Sequence, residues 1–332
     1  MHPRVQGELA CKGLVTRRFA VKAGMEGAEI DRLVRRGVLV KVWRGVYTTS
    51  ELWDALDEYV GRPRLRHRAA CAHLYCPHVL SHDTAALELG LSVLDAPAQL
   101  VHVTRFGVVG TRHRHGVKHH KAPYEPSQLV LLDDERVALD PARTVADISR
   151  DRGLEAGLVA ADSAMSGGLS RDALWAAVEP MTNWPYVHVV RRVIALADPG
   201  GETPGETLTR LMLIEMGHAP TTQFGLTDGR RTVWCDLRVG RRIIEFDGRA
   251  KYSIDGVADD QRLWDEKERQ DFITGFRLDV SRLVWADLFG ERRRETMRRL
   301  DRQIQQSHRV LGSDVGDLES FIVRGPRPRR SR

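Results

Sequence analysis

The sequence predicts a multidomain α+β and α/β chain: an N-terminal winged helix-turn-helix, a mixed middle region, and a C-terminal mixed sheet flanked by helices. Three observations predict it. At 332 residues the chain is long for a single hydrophobic core. A basic helix–turn–helix pattern followed by a short hairpin pattern lies near its start. Turn-forming DPGGETPGE, residues 198–206, separates a helical stretch from a second run of strands and helices. The expected parts are 1–60 (winged helix), 61–198 (mixed, mainly helical at its end), 199–310 (the C-terminal sheet domain) and 311–332 (a flexible basic tail).

In the first part, Thr16 caps a short helix ending near Gly24. A second helix is expected from Glu26 to Arg36, with Ile30, Leu33 and Val34 as its apolar stripe and Gly37 as its stop. Arg32, Arg35 and Arg36 lie off that stripe. VLVKVWRGVY follows, alternating like a hairpin around Arg44-Gly45. In a winged helix the second helix enters the major groove and the wing's cations meet phosphate. The candidate DNA contacts are therefore Arg32, Arg35, Arg36, Lys41 and Arg44. The plain alternative is a small helical domain with a solvated arginine face.

Charge agrees with an anionic partner. The formal net charge is +6, and residues 1–50 hold ten Lys/Arg against four Asp/Glu. The last nine residues, RGPRPRRSR, contain five Arg and two Pro, and read either as a solubilising tail or as a nucleic-acid contact. No apolar run approaches the length of a membrane span, and the start lacks a signal-peptide core. Four cysteines are too few for a disulfide scaffold, so a cytoplasmic location with reduced thiols is expected. The segment LVTRRFAVKAG, the helix after it and RGVYTT resemble the N-terminal domain of AbiEi-type antitoxins and related regulators.

The middle region carries no catalytic constellation. Helices are expected near 64–76, after Ser81, and near 141–150, 153–166, 170–179 and 184–197, with QLVHVTR as a strand. His113, His115, His119 and His120 crowd a stretch with Arg112, Arg114, Lys118 and Lys121, which reads as an exposed basic hairpin tip rather than a zinc site. Cys71, His73, Cys76, His78 and His82 are close in sequence, but Cys71 and Cys76 read as small apolar residues on or near a helix. SHDTAALELGL and ALDPARTVADISRDRGLEAGLVAADSAMSGG resemble the central region of the same AbiEi-like proteins, which implies a family and no chemistry.

The C-terminal part reads helix, three strands, helix, strand, helix. Its first helix is capped by Thr203, and its closing basic helix carries Arg292, Arg293, Arg294, Arg298 and Arg299, read as a solvated face or a second DNA surface. In RRIIEFDGRAKY, residues 241–252, an apolar strand carries Glu245 and Asp247 two residues apart, hence on one face. Like charges on a buried strand are costly without a partner. Asp236 precedes Glu245 by nine residues across a tight hairpin. Asp236, Glu245 and Asp247 together offer an oxygen-rich site for Mg2+ or Mn2+. The alternative is a network of ion pairs with Arg238, Arg249, Lys251 and Lys267.

Glu206, Asp236, Glu245-Phe246-Asp247-Gly248, Glu266-Lys267-x-Arg269 and Trp285-Ala286-Asp287-Leu288 resemble the PD-(D/E)xK nucleases, in particular the Vsr-like branch. The resemblance covers about 203–288. It implies a restriction-endonuclease-like fold and Mg2+-dependent hydrolysis of DNA phosphodiesters. Asp236 and Glu245 would hold the metal, Asp247 would support it or orient water, and Glu206 would stand behind it or hold a second metal. Asp247 occupies the place where those nucleases usually carry lysine, so Lys251 or Lys267 is expected to supply the cation. The competing expectation is a non-catalytic regulator or AbiEi-type antitoxin with a degenerate nuclease fold, paired with a nucleotidyltransferase-like toxin and compatible with a homodimer.

Overall fold

A computed structural model describes residues 1–74, 76–94, 100–248, 260–324 and 327, with 260–263 described by backbone alone. The chain divides into two compact units, Met1–Asp151 and Arg152–Arg332. This division falls inside the expected middle region.

The first unit opens with α1 (Pro3–Lys12), β1 (Val15–Thr16), α2 (Arg17–Lys22), α3 (Gly27–Arg35), β2 (Leu39–Trp43) and β3 (Val46–Thr49). Helix α1 was not anticipated; only Val5 and Leu9 on it are buried, too few to make a clear stripe. The expected cap holds: the Thr16 hydroxyl accepts the Phe19 N–H at 3.1 Å. Strand β3 lies between β1 and β2, antiparallel to both. Val5, Leu9, Ala20, Met25, Ile30, Leu39 and Tyr47 form one core under this sheet. Full burial of Ile30 contributes about 2 kcal/mol, enough to fix which face of α3 turns inward. The layout is that of a winged-helix-type domain.

Next come α4 (Ser50–Ala55), α5 (Gly61–Cys71), β4 (Val79–Leu80), α6 (His82–Glu88), β5 (Val101–Thr104), β6 (Arg112–Arg114), β7 (Val117–His120), β8 (Leu129–Leu131), β9 (Val137–Leu139) and α7 (Pro141–Arg152). These strands form one sheet in the order β6-β7-β5-β4-β9-β8. Ala70, Leu80, Ala85, Val101, Val103, Val117 and Ala138 fill its core. The expected basic tip is only half right. His113 and His115 are exposed, whereas His119 and His120 are buried on β7. Val117 and His119 turn to one covered face of the strand and His120 to the other, so its last histidines lie inside the domain.

The second unit begins with α8 (Leu154–Ser166), α9 (Arg171–Val178) and α10 (Val187–Leu196). Helix α11 (Pro204–Glu215) then leads into β10 (Thr221–Thr227), β11 (Thr232–Val239) and β12 (Arg242–Asp247). Helix α12 (Asp260–Gly275), β13 (Asp279–Val284) and α13 (Gly290–Leu311) complete it. The sheet order is β10-β11-β12-β13, with β12 and β13 parallel and the other pairs antiparallel. Gly240 turns β11 into β12 at φ 56°, and a Cβ there would stand 2.4 Å from the His308 ring. Strand β12 is central in the sheet, which is why Arg242, Ile243, Ile244 and Glu245 are all buried.

Candidate functional site

Two surfaces carry the residues that the sequence singles out, one in each unit. In the first unit Arg32, Arg35, Arg36, Lys41 and Arg44 are all exposed. The arginines follow the outer face and C-terminal end of α3, while Lys41 and Arg44 belong to β2 and the turn after it. Arg17, at the start of α2, is a positioning residue that the sequence reading missed. It donates to both carboxylate oxygens of Asp31 on α3, at 2.7 and 3.0 Å. It also donates to the Gly27 carbonyl at 3.1 Å and the Tyr47 hydroxyl at 3.2 Å. One guanidinium thus fixes α3 against α2 and β3. Its hydrogen bonds hold the Asp31 carboxyl below its ordinary 3.8.

In the second unit, α11 presents Glu206 in its first turn. The Thr203 hydroxyl donates to Glu206 Oε1 at 2.9 Å while accepting the Glu206 N–H at 3.3 Å, a reciprocal cap. Glu206 Oε2 accepts the Glu202 N–H at 3.1 Å and the Gln223 side-chain amide at 3.3 Å. Asp236, on β11, uses Oδ2 to accept the Phe246 N–H at 2.9 Å; its other oxygen takes no part in that bond. Burial and the nearby Asp236 push Glu206 up to about 7. Burial, with Glu245 adding to it, pushes Asp236 up to about 6. Asp236 therefore acts on Glu206, and Glu245 on Asp236.

The expected metal set of Asp236, Glu245 and Asp247 is not drawn together. Among the described residues, one group of three acidic, histidine or cysteine side chains brings its ligand atoms all within 4.8 Å of one another, and it is His82, His102 and His120 of the first unit. Glu245 turns to Arg269 of α12 instead: Arg269 donates to Oε2 at 2.7 Å, and its other terminal nitrogen lies 2.6 Å from Oε1. Arg269 also donates to the Trp234 carbonyl at 2.8 Å, which ties α12 to β11 and β12. Sequence reading placed Arg269 only within a motif; its pairing was hidden because it joins residues 24 apart. Asp247 is exposed at the end of β12. Lys267 is exposed and stands over the Trp264 ring, 6.0 Å from its centre. Lys251 and Arg249 lie outside the described residues.

Two further groups bear on this site. Arg327, from the C-terminal segment, lies 3.3 Å from Glu202 and donates to the Gln223 side chain at 3.3 Å. The basic helix α13 spends much of its charge inside the unit. Arg292 meets Asp287 at 2.8 Å, Arg294 meets Glu291 at 2.7 Å, and Arg293 pairs with Glu215. These pairs favour the solvated-face reading of α13.

Comparison with known proteins adds three findings. Residues 11–49 match a family model described as a transcriptional regulator, AbiEi antitoxin, whose extent coincides with β1 to β3 and the helices between them. No curated protein matches. Among solved structures, the RV2827C protein from Mycobacterium tuberculosis is similar at 16% identity and a TM-score of 0.38, over 63% of this chain and 79% of that one. No helix among the described residues is long and apolar enough to cross a membrane. The chain therefore opens with an AbiEi-like regulator domain, which suggests DNA binding or regulation.

Proposed function

We propose that this protein grips duplex DNA through α3 and its wing, and that its C-terminal unit hydrolyses DNA phosphodiester bonds with Mg2+ or Mn2+. The observation that carries the catalytic half is the approach of two carboxylates, buried Glu206 and half-buried Asp236, the charge of Asp236 adding to the rise of Glu206. Acids lifted this far by burial and by a neighbouring carboxylate mark places where a cation would restore the balance. The order helix, three strands, helix, parallel strand around them agrees with a restriction-endonuclease-like core.

The residues fit such an ion on the Asp236 side. Asp236 and Glu206 would hold it, while Glu245, on the neighbouring strand, stays paired with Arg269. When bound, the ion supplies positive charge for the developing phosphorane and acidifies water. Asp247 and one lysine, Lys267 or Lys251, would orient that water. The test is nicking of supercoiled plasmid with Mg2+, with Mn2+ and with EDTA, beside Asp236→Asn. Cleavage lost in EDTA and in the variant supports hydrolysis. Gel shift without cleavage by any form sinks it.

One observation favours a second reading, a regulator without catalysis. Arg269 already neutralises Glu245, as a retired acidic site would require. In that reading the winged helix binds an inverted repeat as a homodimer, and the partner is a nucleotidyltransferase-like toxin. A footprint over an inverted repeat beside its own gene would support it.

A further inference from the structure

His82, His102 and His120 meet inside the first unit although 20 and 18 residues separate them in sequence. His82 opens α6, with a backbone φ of 52° that few non-glycine residues adopt. His102 lies on β5 and His120 at the end of β7. These strands are parallel neighbours, with His102 level with Lys118 and Thr104 level with His120. Residues two apart on a strand share a face, so His102 and His120 face the same side. His82 reaches that side from α6, its ring stacked 3.7 Å from that of His120. All three are buried, with 4–6% of their surface exposed.

Their nitrogens are arranged for ligation. His102 Nδ1 and His120 Nε2 stand 3.1 Å apart. Two nitrogens sharing a tetrahedral zinc ion at about 2.05 Å are held about 3.3 Å apart. His82 Nδ1 lies 3.0 Å from the Ser81 hydroxyl, which fixes the ring and leaves Nε2 for a ligand. Two carboxylates lie close by: Asp147 and Asp151 act on His120, and Asp151 acts on His82. Lys118 and Arg143 oppose them. A set made only of imidazoles selects the borderline first-row ions over Mg2+ or Ca2+.

We propose that His82, His102 and His120 bind one divalent first-row transition-metal ion, with Zn2+ as the foremost occupant. The ion joins α6 to β5 and β7 and so clamps three segments far apart in sequence. Three nitrogens leave one tetrahedral position for an external ligand. The site is independent of the acidic one in the second unit and of any nuclease activity.

The test uses full-length protein stripped with EDTA, titrated with Zn2+ by calorimetry and with Co2+ by visible absorption. An Asp236→Asn background removes the acidic site from the count. One equivalent should bind, with the visible bands of a nitrogen-ligated Co2+ ion. His102→Gln or His120→Gln should weaken binding at least roughly 100-fold, while His113→Gln, on an exposed strand, should leave it unchanged. No binding to the stripped protein, or Co2+ bands that persist in His102→Gln, overturns the proposal. Should that variant fail to fold, X-ray absorption on zinc-loaded His113→Gln decides: imidazole rings in the zinc shell support the site, and an oxygen-only or sulfur-containing shell overturns it.

Discussion

Arg17 and Asp31 form a two-pronged ion pair, 2.7 and 3.0 Å, between the first helix of the helix-turn-helix and the second. Both partners are well exposed, so the pair matters for geometry more than for stability. Arg17→Met should leave the unfolding midpoint nearly unchanged yet weaken sequence-specific DNA binding by roughly tenfold, because α3 loses its fixed angle. Fluorescence anisotropy with specific and scrambled duplexes measures it. An equal loss on both would show that Arg17 contributes charge alone.

The exposed cations of α3 and the wing should act as phosphate contacts. Each of Arg35→Ala, Arg36→Ala and Lys41→Ala should lower the slope of log affinity against log salt by about one. Arg32, nearest the middle of α3, is the one expected to change sequence preference as well. An unchanged salt slope in all of these variants would remove α3 from the DNA interface.

The acidic site gives a pH signature with a definite sign. Glu206 and Asp236 are raised from 4.5 to about 7 and from 3.8 to about 6. Their protonated forms are favoured in the fold. The stability they contribute is complete below about pH 4 and is lost as pH rises through 6 to 7. A divalent ion competes with those protons. Mg2+ affinity by calorimetry should therefore rise between about pH 5.5 and 8, and Asp236→Asn should flatten that rise. A pH-independent affinity would place Mg2+ elsewhere.

Gly205 has no room for a side chain. A Cβ there would stand 2.0 Å from the Phe246 ring, whose own backbone N–H is held by Asp236. Gly205→Ala should cost about 2 kcal/mol and move Glu206 away from Asp236. Denaturant unfolding checks the first effect, and loss of the Mg2+ pH dependence checks the second.

Breaking the Arg269–Glu245 pair should be expensive. Glu245 is buried, and Arg269→Met leaves it the longer Arg282 contact at 3.9 Å, at a cost of about 3 kcal/mol. Arg269→Met with Glu245→Gln should recover much of that loss. A double variant no better than the single one would mean that the Trp234 carbonyl bond dominates.

What was legible in the sequence followed local rules. The Thr16 cap, the single apolar stripe of α3 and the tight hairpin between Asp236 and Glu245 each depend on neighbours within a few positions. An apolar run likewise revealed β12, and the linker before α11 announced itself by Pro and Gly. What stayed hidden depends on distant partners. Arg17 finds Asp31 across a turn, Arg269 finds Glu245 across a helix, and three histidines meet from three elements. Their spacing carries no period, so only the folded sheet reveals them. Asp236, Glu245 and Asp247 were conspicuous as acids, yet nothing local said that an arginine claims one and the end of a strand exposes another.

The segment after α13 returns along β10. Ile322 bridges to Leu226, and the Val323 N–H donates to the Gly225 carbonyl at 2.9 Å. Strand β10 is the open margin of its sheet, the place where a foreign strand would otherwise add. The protein thus covers part of its own open edge, and a truncation before Ile322 would leave a docking template for other chains, a seed for association.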